Sequence, residues 1–143
     1  MAPGAISCSK RIGALQVFKT KDFARFARKE KIDDDALCES IRRAERGLID
    51  AYLGGGLIKQ RVARKGQGRS GGYRTIIAYR TARRAVFLHG FAKSAKDNVS
   101  DDELDALTKA AAVVLAMDAA TVADALDKGK WIKVMCDGEE VQE

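Results

Sequence analysis

The chain has 143 residues, 46% hydrophobic and 32% charged, with a formal net charge of +6, which fits one globular domain with a modest core and excludes a disordered chain. No apolar run nears the ~20 residues of a membrane span, and the opening MAPGAISCSKRIGALQVF has no apolar stretch before its first charges, so neither a membrane role nor export is expected. Cys8, Cys38 and Cys136 are odd in number and far apart, which predicts free thiols in a reducing cytoplasm rather than a disulfide framework or zinc cluster, and a single histidine excludes a His-rich metal site.

Residues 1–13, with the only proline, read as a disordered lead-in. Ala14 to Lys19 reads as a first strand, and Thr20 is placed to cap a helix in which Phe23, Phe26 and Ala27 recur at i, i+3, i+4 spacing. Asp33, Asp34 and Asp35 mark the start of a second helix, where carboxylates complement the helix dipole and a metal site is the weaker reading. Its apolar stripe is Ala36, Leu37, Ile41, Ala44 and Leu48, with Gly47 near its end. Gly54-Gly55-Gly56 breaks the pattern, and three strand-like runs follow: Leu57 to Arg64, Tyr73 to Arg80, and Ala85 to Phe91. The loop KGQGRSGG and the turn TARR join them, and short connections with alternating side chains predict an antiparallel meander.

Ser100 and Glu103 have capping-box spacing, with Val99 and Leu104 as the hydrophobic staple, and the helix they open runs to about Met117. Thr121 to Lys128 is a further short helix stopped by Gly129, and Trp131 to Cys136 reads as a last strand. The prediction is therefore an α+β fold: two N-terminal helices packed on a mainly antiparallel sheet, a C-terminal helix, and a short α-β extension. The domain would span 14–117 and the extension 118–143.

Charge is distributed unevenly along this order. Residues 1–50 hold eleven basic and eight acidic side chains, 51–96 hold eleven basic and no acidic ones, and 97–143 hold four basic and twelve acidic. A block of cations without a carboxylate repels itself, and an anionic partner is the simplest remedy; a solvated basic face is the plainer alternative. Strand parity puts Lys59 and Arg61 on one face of their strand and Ile58 and Val62 on the other. On the next strand, Arg74 and Arg80 share a face with Ile76 and Ala78. Such side chains meet across neighbouring strands and form a surface for phosphate. The run Gly66-x-Gly68-x-x-Gly71 matches a dinucleotide fingerprint, but a strand follows it where that fingerprint needs a helix, so it reads as a hairpin loop with basic tips.

With those residues in view, the runs LGGGLIKQRVARKGQGRSGGYRTIIAYR and AVFLHGFAKSAKDNVSDDELDAL resemble a RelE/HigB-type toxin of a type II toxin–antitoxin system, in the RelE/ParE superfamily. The likeness lies with members carrying the Gly-Gly-Gly turn and an SGGYR motif, and ALDKGKWIKVMCDGEE is similar to a tail seen in some of them. The resemblance implies a ribosome-dependent endoribonuclease acting on translated mRNA, with no metal and no cofactor. The implied partners are mRNA, the ribosome with its rRNA, and a cognate antitoxin, a helix-turn-helix or other small DNA-binding protein. Carried over by motif, the catalytic set is Lys59, Arg61, Arg74 and Lys93. Arg64, Lys65, Arg69, Arg80 and Lys96 are expected to hold RNA phosphates, and Tyr73 to stack on a base, although a tyrosine at strand spacing also fits a core role. Two departures stand out: Ser94 occupies the place of an arginine, and NVSDDEL lacks the tyrosine of some relatives.

The implied chemistry is attack of the 2′-hydroxyl on the adjacent phosphate, which needs a base, cations around the developing dianion, and an acid for the leaving oxygen. Lys59 is the candidate base, Arg61 and Arg74 the charge stabilisers, and Lys93 a phosphate ligand or acid. His89 is a further candidate base, though a lone strand histidine reads first as structural. Two other functions stay open here: a ParE-like toxin that poisons gyrase on the same fold, and a non-catalytic nucleic-acid binder.

Overall fold

The computed structural model describes residues 15–64, 68–81, 83–92 and 99–136. The lead-in 1–13, Cys8 and the acidic tail DGEEVQE lie outside the described residues. Strand β1 (Gln16–Thr20) leads into helices α1 (Lys21–Glu30) and α2 (Asp34–Glu45). Strands β2 (Ala51–Gly54), β3 (Leu57–Arg64), β4 (Gly68–Arg80) and β5 (Arg84–Ala92) follow, then α3 (Asp101–Ala116), α4 (Ala119–Asp127) and β6 (Trp131–Lys133). The architecture is α+β: one sheet in the order β2-β3-β4-β5-β1-β6, antiparallel except for the β1–β5 pair. The two N-terminal helices carry the chain from β1 to the far edge at β2, which leaves β1 parallel to β5.

Local chemistry sets the helix starts as expected. The Thr20 side chain accepts the Phe23 N–H at 3.1 Å, and Asp33 accepts that of Ala36 at 3.0 Å. Ser100 and Glu103 form both bonds of a capping box. Asp118, three residues before the predicted start at Thr121, caps α4 by accepting the Thr121 N–H, and hydrogen bonds from the Thr121 hydroxyl and then its N–H hold the carboxyl below the usual carboxylate range.

Both faces of the sheet are covered. On the back face, Phe23 and Ala27 of α1 and Leu37 and Ile41 of α2 pack on Val17, Ile58, Val62, Ile77 and Phe87. On the front face, Ala111 and Val114 of α3 and Val122 and Ala125 of α4 pack on Phe18, Leu57, Ile76, Val86 and Trp131. Gly90 admits α1 to close contact, because a Cβ there would stand 2.4 Å from the Phe26 ring. Gly55 and Gly56 turn the β2–β3 hairpin at φ +62° and +86°, and a Cβ on either would strike Thr108 or Leu115 of α3.

The structure departs from the sequence-based expectations in five places. A short edge strand, β2, precedes the triple glycine and pairs with β3. The long loop expected at KGQGRSGG is largely strand, since β4 begins at Gly68 and runs 13 residues. β6 ends at Lys133, after which Val134 still donates to the Val17 carbonyl at 3.0 Å. Leu48 lies past the end of α2 and is exposed rather than in its apolar stripe. Finally, Cys38 and Cys136 are not free thiols. They form a disulfide across 98 residues of sequence, with Cα atoms 5.7 Å apart. Asp34 steers that closure: it pairs with Lys19 at 3.0 Å and accepts the Met135 N–H at 2.8 Å, bringing the chain after β6 onto α2.

Candidate nucleic-acid interface

The register of β3 and β4 brings the predicted cations together. Arg61 lies directly opposite Arg74, and Lys59 lies opposite Ile76 in the neighbouring row. Arg74 in turn faces Phe91, and Ile76 faces His89, on β5. Facing side chains sit ~5 Å apart and diagonal ones ~7–8 Å, so Lys59, Arg61 and Arg74 form one patch on the front face. The cover from α3 thins along this face. Leu57 is 1% exposed, Lys59 is half-buried, and the Arg61 side chain is 46% exposed.

Arg74 is half-buried, and its Nη1 is buried with no hydrogen-bond partner among the described residues. An arginine nitrogen withdrawn from water without a partner carries a free-energy cost that an incoming anionic oxygen removes. His89 belongs to the same face and packs against Phe91, ring centroids 5.9 Å apart.

Other expectations fall elsewhere. Arg80 is exposed at the opposite end of β4, six residues from Arg74, or roughly 20 Å along a strand, with the buried Ile76 and Ala78 between them. The structure therefore does not bring Arg80 to the patch. Tyr73 is 2% exposed and faces the back, where its hydroxyl donates to Glu30 Oε1 at 3.1 Å and its ring meets Phe26 edge-on. Base stacking by Tyr73 is thus corrected to a core role, because neither face of the ring is open to a base. Arg64 and Arg69 belong to the hairpin end of β3 and β4. Lys65, Lys93 and Lys96 lie outside the described residues.

Two residues behind the patch had no place in the sequence reading. Asp50 accepts the Arg61 N–H at 2.6 Å, and Arg43 of α2, with a side chain only 7% exposed, donates to the Arg61 carbonyl. The available signal was that Asp50 is the last acid before the carboxylate-free block.

A helix-covered six-stranded sheet with Lys59, Arg61 and Arg74 gathered on one face defines a small α+β protein with a cationic patch. The chain belongs to the RelE toxin family: the family described as RelE toxin of the RelE / RelB toxin-antitoxin system matches residues 15–134, from the start of β1 to just past β6. No match was found among curated proteins.

Proposed function

We propose that this toxin is a ribosome-dependent endoribonuclease that cuts translated mRNA by attack of the RNA's own 2′-hydroxyl. The convergence of Lys59, Arg61 and the part-buried, incompletely bonded Arg74 on one patch carries this reading. In the step envisaged, Lys59 is the base that takes the 2′-OH proton as the 2′-oxygen bonds to phosphorus. Arg61 and Arg74 stabilise the charge that builds on the non-bridging oxygens. The bond from phosphorus to the 5′-oxygen breaks, that oxygen takes a proton from an acid for which Lys93 is the candidate, and the products are a 2′,3′-cyclic phosphate and a 5′-hydroxyl. The partners are mRNA, rRNA of the ribosome and a cognate antitoxin, and the site of action is the cytoplasm, where ribosomes work. No single described helix is long and apolar enough to cross a membrane.

A gyrase poison on the same fold has no need of a phosphate-transfer site, so the gathered cations favour the nuclease. The test is induction of the toxin followed by primer extension on a translated message. In-frame cuts with 5′-hydroxyl ends support the nuclease. A DNA-damage response without cuts identifies the gyrase alternative, and salt-sensitive RNA binding without product identifies a plain binder.

A further inference from the structure

Arg61 stands on a length of β3 that the edge strand does not reach. β2 pairs with β3 only between Ala51↔Lys59 and Gly54↔Leu57, so beyond Lys59 the outer edge of β3 faces no strand among the described residues. Two side chains occupy the missing strand's place. Asp50 Oδ2 accepts the Arg61 N–H, and Arg43 Nη2 donates to the Arg61 carbonyl. The same carboxylate reaches both guanidiniums: Oδ2 is 3.5 Å from Arg43 Nη1 and Oδ1 is 3.9 Å from Arg61 Nε. Glu39 holds Arg43 from the other side, 3.2 Å from its Nε. Gln60, fully buried between Lys59 and Arg61 in sequence, fastens this unit from beneath. Its Oε1 accepts the Asp50 N–H at 2.7 Å, and its Nε2 donates to the carbonyls of Ser40 and Leu48.

An exposed strand edge does not need this apparatus, because water satisfies its N–H and C=O groups. Withdrawing an arginine from water to bind that carbonyl carries a desolvation cost, and the chain bears it directly behind a cation of the patch. We propose that Asp50 and Arg43 are positioning residues of the phosphodiester site: together they immobilise the Arg61 peptide unit and set the direction in which its guanidinium meets the scissile phosphate. This rests on the nuclease reading above. Neither residue touches RNA; both act through Arg61.

The test uses the full-length toxin on ribosomes programmed with a defined message, measuring kcat and ribosome affinity separately. Asp50→Asn keeps an oxygen for the Arg61 amide but loses the charge that orients both guanidiniums. It is expected to lower kcat about tenfold or more with ribosome affinity within about twofold of the parent, as mispositioning without loss of binding requires. In an Arg61→Ala background the Asp50→Asn cost is expected to vanish, since the two act as one unit. Arg43→Lys, which keeps the charge but not the two-point grip, provides the second line should Asp50→Asn fold poorly. Overturning results are a parental kcat in both single variants, an Asp50→Asn loss that persists undiminished without Arg61, or a loss of kcat and affinity together in step with the folded fraction. A parent that leaves the message uncut overturns the nuclease reading and this inference with it, whereas a cutting parent with unaffected variants overturns the positioning role alone.

Discussion

The back face of the sheet and the end of its front face beyond α3 treat their polar side chains in different ways. On the back face, under α1 and α2, Gln60, Thr75, Tyr73 and Tyr79 are buried and bonded to fixed protein partners. On the front face, beyond the reach of α3, Arg61 stays largely exposed and Arg74 keeps a nitrogen with no partner among the described residues. Polar groups satisfied inside the fold hold it together, whereas a solvent-exposed cation at its margin, such as Arg61, can meet a ligand. Apart from Arg43 and Asp50, which reach the edge of β3 at Arg61, substitutions behind the sheet should therefore change stability, and substitutions in front should change RNA cleavage.

The sharpest break of that comparison is on β4. Arg74→Ala is expected to fold like the parent and lose cleavage by roughly 10²–10³-fold, the usual consequence of removing one stabiliser of a developing oxyanion. Arg80→Ala, on the same strand and face but at the far end, should leave cleavage within about twofold. Single-turnover cleavage on programmed ribosomes reads both, and equal losses would show that the patch is not a localised site. Next in size is the back-face disulfide. Cys136→Ser, or reduction, opens a link across 98 residues and should lower unfolding free energy by about 2–4 kcal/mol in a urea titration, without altering kcat of the molecules that remain folded.

Tyr73→Phe removes only the hydroxyl bonded to Glu30 and should cost about 1 kcal/mol of stability, with unchanged RNA affinity; weakened RNA binding at unchanged stability would restore a ligand role for that ring. The smallest effect is a pH dependence. Burial, and then the hydrogen bond to Glu45, push the Tyr79 hydroxyl well above its usual 10.0. The folded chain thus holds that proton at pH values where the unfolded chain has released it. The stabilisation is complete below about pH 10 and is lost as pH rises beyond it. Thermal melts across that range should fall less steeply for Tyr79→Phe than for the parent.

Much of the fold was readable from local chemistry. Thr20, Asp33 and Ser100 cap helices through atoms within three residues, and the Lys59/Arg61 alternation against Ile58/Val62 places those cations on one face without knowledge of the partner strand. Short elements at the margins were not readable. The four residues of β2 form a strand only because β3 is beside them, and Leu48 continues the spacing of α2 after the helix itself has ended.

What the amino-acid order determined by itself was periodic or adjacent: element types, cap positions, and the concentration of cations without carboxylates in residues 51–96. What only the tertiary structure decided joins residues far apart in the chain. It set Arg61 opposite Arg74 and left Arg80 at the other end, turned Tyr73 into the core, joined Cys38 to Cys136, and put Arg43 and Asp50 behind Arg61. The reason is range: capping and alternation act over a few residues, whereas strand register, burial and pairing depend on which distant segments share a surface once the chain has closed on itself.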